Sequence, residues 1–151
     1  VLATVYTAFT LIKMQQQYAK NEQTKNNPKI AQTRINTDNW KNYIDPVYPL
    51  NVLVPEDWEI DTDDDYSGFY TVNFNTENNG VLTIFISPSV YAGIVGSDGL
   101  NYKTNQGVEV TKHDDLLYTA KVGDYYYTFD ATLGINLEKE LAEIIRLAKF
   151  D

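Results

Sequence analysis

The sequence has no cysteine and, among 151 residues, a single histidine. The first absence excludes disulfide staples, thiol nucleophiles, zinc–thiolate sites and iron–sulfur clusters. The second excludes a metal site built from several histidines. There is no Gly-x-Ser-x-Gly nucleophile elbow and no glycine-rich phosphate loop, so neither acyl transfer nor nucleotide chemistry has its usual signature. Positive charge is scarce after the first quarter of the chain. Residues 42–151 carry six Lys/Arg against nineteen Asp/Glu, whereas residues 1–41 carry six against two. A surface that acidic repels a phosphate backbone, which excludes nucleic acid as a partner.

What is present is enough for one packed domain: 43% of the residues are hydrophobic and 13% aromatic, in a chain of single-domain length. The first twelve residues carry no charge, and Val1, Leu2, Val5, Tyr6, Phe9 and Ile12 recur at helical spacing. Two readings fit. One is a short amphipathic helix packed on the domain; the other is the outer end of a transmembrane helix, since twelve residues fall short of the roughly 20 that span a bilayer. We take residues 1–20 as an N-terminal helix ending a membrane anchor, 21–39 as a polar stalk, and 40–151 as the folded domain. In that order the domain is expected to stand beside the membrane, on its extracytoplasmic face. The basic residues Lys13, Lys20, Lys25, Lys29 and Arg34 argue the other way, because positive charge is retained on the cytoplasmic side. Asn26-Asn27-Pro28 should end any helix entering the stalk.

Within the domain, apolar residues alternate with period two. Trp40–Ile44 forms a short strand candidate, and Leu50, Val52 and Val54 form another, stopped by Pro55. Tyr70, Val72 and Phe74 alternate, as do Leu82, Ile84 and Ile86, and an odd-length turn with a glycine bulge at Gly80 sets Phe74 opposite Leu82 and Val72 opposite Ile84. Residues 90–105 read as a loop, with a short helix as an alternative for part of it, and Val108 and Val110 open a further strand. A hairpin turning on Gly123-Asp124 pairs Val122 with Tyr125, Ala120 with Tyr127 and Tyr118 with Phe129 on one face, leaving Lys121, Tyr126, Thr119 and Thr128 on the other. The chain closes in a helix with Asn136 as its N-cap. Its apolar stripe is Leu137, Leu141, Ile144, Ile145 and Ala148, with Glu138, Glu140, Glu143 and Lys149 off the stripe. The predicted fold class is α+β: an antiparallel β-sheet packed against a C-terminal α-helix, with an N-terminal helix or tether.

The order Tyr48, Leu50, Val52, Val54, Pro55, Trp58, an extended apolar segment closed by a Pro-x-x-Trp turn, resembles the opening of PsbP-like domains in bacterial membrane-anchored and lipid-anchored proteins. Pro49-Leu50 stands where those domains usually carry Gly-Phe. The resemblance covers roughly Trp40 to Phe150 and implies an accessory or binding role rather than a reaction, with a protein partner. A similar pattern occurs in the outer domains of bacterial anti-sigma factors, which implies a sensory or regulatory alternative. By contrast, Ala8-Phe9-Thr10-Leu11-Ile12-Lys13 resembles a prepilin cleavage site without its glycine or its glutamate, and is set aside.

One cluster offers ligand chemistry. Glu56, Asp57, Glu59, Asp61, Asp63, Asp64 and Asp65 concentrate carboxylates, and Asp61, Asp63 and Asp65 have the spacing of the first half of a calcium loop. Tyr66 at the sixth position and Val72 at the twelfth exclude an EF-hand, which needs glycine and glutamate there. Two readings remain: a weak, irregular calcium site on Asp61, Asp63 and Asp65, and a solvated hairpin loop. His113, between polar neighbours, reads as a loop residue. No catalytic residue and no other cofactor is expected.

Overall fold

A computed structural model describes residues 35–64, 69–88, 99–134 and 136–151. The expected N-terminal helix, most of the stalk and Asp65 lie outside these residues. Among the described residues the elements run β1 (Trp40–Ile44), β2 (Asn51–Pro55), β3 (Glu59–Asp64), β4 (Tyr70–Asn75), β5 (Val81–Ser87), β6 (Leu100–Lys103), β7 (Glu109–Asp114), β8 (Leu117–Val122), β9 (Tyr125–Asp130) and α1 (Glu138–Leu147). Seven strands form one antiparallel sheet in the order β3-β4-β5-β9-β8-β7-β6, and β1 and β2 form a separate hairpin. A C-terminal helix packed on a large antiparallel sheet is the architecture the alternation and the helical stripe require.

Alternation puts the apolar side chains of the sheet on one face. Phe74 lies opposite Leu82 and Val72 opposite Ile84, as the pattern predicts. Ile84 and Ile86 then meet Phe129 and Tyr127, which in turn face Tyr118 and Ala120 across β8. All these residues are buried. The opposite face is polar: Lys121 sets its ammonium 5.3 Å from the Tyr126 ring centre, and Asn73 accepts a 2.8 Å hydrogen bond from Thr83.

The turn between β4 and β5 has the predicted odd length, yet its left-handed residue is Asn79 (φ 60°) rather than Gly80. Gly80 is held differently. Its N–H donates to Thr76 Oγ1 at 2.9 Å, its carbonyl accepts from the Thr76 N–H, and a Cβ there would fall 2.9 Å from that hydroxyl. Leu100–Lys103, expected within a loop, is an edge strand paired to β7.

The apolar face is too wide for the helix alone. Six inter-strand spacings make the sheet roughly 29 Å across, whereas the ten residues of α1 span about 15 Å. The β1–β2 hairpin covers the rest. Tyr43 meets Phe74 edge-on at 5.4 Å, Tyr48 meets Tyr70 at 5.0 Å, and Leu50, Val52 and Val54 are buried. Reciprocal 2.9 Å hydrogen bonds between Asn51 and Lys149 tie β2 to the segment after the helix. Phe150 then packs edge-on against Tyr127 at 5.0 Å.

The helix start departs from the expected cap. Asn136 has φ 60°, and Leu137 takes the N-cap position without a side-chain cap bond. Leu137 is buried, and a Cβ at Gly134 would fall 2.4 Å from its Cδ1, so that close approach needs glycine. Docking Leu137 fixes where the helix begins, and Asn136 takes the left-handed conformation that asparagine tolerates. Glu143, expected in solvent, is also buried: Arg146 folds over it with bonds of 2.8 and 2.5 Å, and reaches Asn105 at 3.2 Å.

One core group is unsatisfied. The Tyr127 hydroxyl is buried without a hydrogen-bond partner among the described residues, and burial pushes its phenol up to about 12. An orphaned buried hydroxyl costs about 1–3 kcal/mol. Tyr127→Phe should therefore raise unfolding stability, by about 1 kcal/mol in urea denaturation. A loss of stability would show that the hydroxyl has a partner.

Candidate functional site

Three turns distant in sequence meet at one end of the sheet. Pro55, Asp57 and Trp58 follow β2; Thr76, Glu77 and Asn78 form the β4–β5 turn; Asn136, Leu137 and Glu140 open α1. Together they line a groove of about 470 Å³. Each wall is set by the packing described above. Trp58 is 5% exposed and anchors the first turn, whose Glu56 and Trp58 carbonyls both accept from the Lys41 ammonium. The Gly80–Thr76 pair of bonds closes the second turn, and Leu137 seats the third wall.

The lining combines an indole, a proline, a leucine and a threonine with three carboxylates and two amides. Among the described residues, no lysine or arginine pairs with Asp57, Glu77 or Glu140. Oε2 of Glu140 has less than 1 Å² exposed and no hydrogen-bond partner. The residue as a whole is half-buried. Among the described residues that line the groove there is no histidine, lysine or arginine.

The buried carboxylate of Asp45 is well supplied with donors. Asp45, 6% exposed, accepts from Tyr43 Oη at 2.7 Å and from the Val47 and Tyr48 N–H groups at 2.9 and 2.8 Å. Its own N–H donates to the Leu50 carbonyl. Burial, reinforced by Asp45, holds the Tyr43 phenol far above its ordinary range. This knot shapes the β1–β2 connection and seats Tyr48 between Tyr70 and Tyr125, at ring separations of 5.0 and 5.1 Å.

The acidic run is a strand over much of its length, not a hairpin loop. Asp61 and Asp63 are exposed on β3, an edge of the sheet, opposite Asn73 and Thr71. They share a strand face two residues apart, and Asp65, the third proposed calcium ligand, lies outside the described residues. Among those residues no group of three His, Asp or Glu is placed to hold a metal ion. His113 belongs to β7 rather than to a loop, at a bulge between Lys112 and Asp114, with Nε2 2.8 Å from Thr119 Oγ1.

No local motif announces the groove, because its residues come from three separate turns. Sequence reading singled out the Pro-x-x-Trp segment and, as the start of the helix, Asn136 and Leu137, without bringing them together. Trp58→Ala should cost about 3–5 kcal/mol as a large-to-small change in the core; an unchanged melting temperature would place the indole on the surface. Burial lowers the His113 pKa below 6.5, with Asp114 opposing. Its neutral form is the one the fold prefers, so this contribution to stability is full above pH 6.5 and is lost as pH falls through the lower folded value. As the only histidine, it gives one clean imidazole titration by NMR; a midpoint at or above 6.5 would contradict the burial.

Comparison of the chain with family models, with curated proteins and with solved structures finds no match.

Proposed function

We propose that this chain is a non-catalytic interaction domain, carried on the extracytoplasmic face of a membrane by its N-terminal segment, and that it binds a protein partner through the groove. The observation that carries the reading is the groove itself: a concave site of about 470 Å³ whose indole and polar groups converge from three turns. The apolar, helically spaced residues Val1–Ile12 and the polar stretch after them support the tether. The likeness of Tyr48–Trp58 to the opening of PsbP-like domains supports an accessory role. Among the described residues, no helix is long and apolar enough to cross a membrane.

Because the chain has no cysteine, one introduced thiol reports its side of the membrane. Leu133 is 79% exposed, and Leu133→Cys in intact cells should react with a membrane-impermeant maleimide before lysis. A photo-crosslinking residue at Asn78, in the groove, should capture a protein, and one at Asn101, on the far edge strand, should not. Labelling only after lysis would overturn the location. Equal capture at both positions, or capture at neither, would overturn the groove as the interaction site.

A further inference from the structure

We infer that the Asn79–Gly80 bond is a modification site of this protein: a spontaneous deamidation site that the folded β4–β5 turn holds shut and that opening of the turn unlocks. Asn79-Gly80 is the only Asn-Gly pair in the sequence. The chemistry needs no catalyst. The Gly80 amide nitrogen gives its proton to solvent base and attacks the side-chain carbonyl carbon of Asn79. The new N–C bond closes a five-membered succinimide, and the side-chain amide takes up a proton and leaves as ammonia. Water then opens the ring at either carbonyl, giving aspartate or isoaspartate. Glycine hinders such an attack least, since it has no Cβ beside the nitrogen and the freest backbone.

The turn favours this pair. Asn79 has φ 60°, a conformation that asparagine tolerates and most other residues avoid. A Cβ at position 80 would fall 2.9 Å from Thr76 Oγ1 and 3.5 Å from Leu137 Cδ1, so a larger residue would push Thr76 off its bond to Gly80. The same geometry disarms the pair. In the left-handed well ψ is about +30° to +60°, which turns the Gly80 nitrogen to the far side of the Cα–C bond from the Asn79 Cβ. Ring closure needs the two nearly eclipsed. The Gly80 N–H is also engaged, donating to Thr76 Oγ1 at 2.9 Å, and Gly80 is buried although Asn79 is exposed. Attack therefore demands a rotation about Asn79 ψ that swings the Gly80 N–H away from Thr76. The rate then follows the population of the opened turn rather than the exposure of the asparagine. The isoaspartyl product adds a methylene to the main chain, in a turn whose length sets Phe74 opposite Leu82. That length no longer matches the register, and the groove wall of Thr76, Glu77 and Asn78 is displaced with it.

The test compares rates in the full chain and in a synthetic peptide of sequence Glu77–Leu82. Both are incubated at mildly alkaline pH, and isoaspartate is located by enzymatic methylation with labelled S-adenosylmethionine and peptide mapping. In the folded chain Asn79 should deamidate at least about tenfold more slowly than in the peptide, and unfolding in urea should bring it up to the peptide's rate. Thr76→Ala, which removes the hydroxyl acceptor, should speed the reaction of the folded chain about fivefold, and Thr76→Ser, which keeps it, should leave the rate as it was. Melting curves establish that each variant is folded; should Thr76→Ala fail to fold, the folded wild type against its own unfolded chain decides. Equal rates in the folded chain and the peptide would overturn the lock. Isoaspartate arising mainly at another asparagine of the unfolded chain would overturn the site. A folded Thr76→Ala chain that reacts no faster than wild type would overturn the Thr76 hydroxyl as what holds Gly80.

Discussion

The structure depends on covering one wide apolar face. A seven-stranded sheet buries Val72, Phe74, Ile84, Tyr127 and Phe129 only if something lies over all of them, and α1 reaches about half that width. The β1–β2 hairpin supplies the other half. Among the described residues its strands pair only with each other and, through Asn51, with Lys149. Its stability therefore comes from what it covers, through Tyr43 on Phe74 and Tyr48 on Tyr70. The Asp45 knot belongs to the same constraint. A buried carboxylate is tolerable in that connection because a phenol and two backbone N–H groups saturate it.

The groove is a consequence of this two-part cover. Where the hairpin turns into β3 and the helix begins, the two covers leave the end of the sheet open, and the β4–β5 turn closes the third side. Asp57, Glu77 and Glu140 line one groove because three turns come together there, beside a core that is otherwise continuous.

Much of the core was legible from the residues alone. Alternation identified β2, β4, β5, β8 and β9, and two turns fixed the registers Phe74 to Leu82 and Tyr118 to Phe129. The helical stripe is buried as its spacing requires. What escaped reading has physical causes. β3 is an edge strand with Asp61 and Asp63 exposed, so it needs little apolar alternation and resembles an acidic loop. β6 is four residues long and mostly exposed, too short for a period to show. Asn136 has the composition of a cap, but burial of Leu137 overrides local preference. Glu143 is buried because Arg146, one turn on, covers it. The groove was invisible because contact order, not spacing, brings its walls together.

If the hairpin, the helix and the sheet are one cooperative unit, the groove has rigid walls; if the hairpin opens alone, it does not. Native-state hydrogen exchange separates the two cases. The amides of Asn51 and Lys149, which bond each other's carbonyls across the joint, should exchange with the same free energy as Ile84 and Phe129 in the central strands, and with the same dependence on denaturant. Exchange of Asn51 and Lys149 through a smaller opening, while Ile84 and Phe129 stay protected, would contradict the account: the hairpin would then be a flap rather than part of the cover.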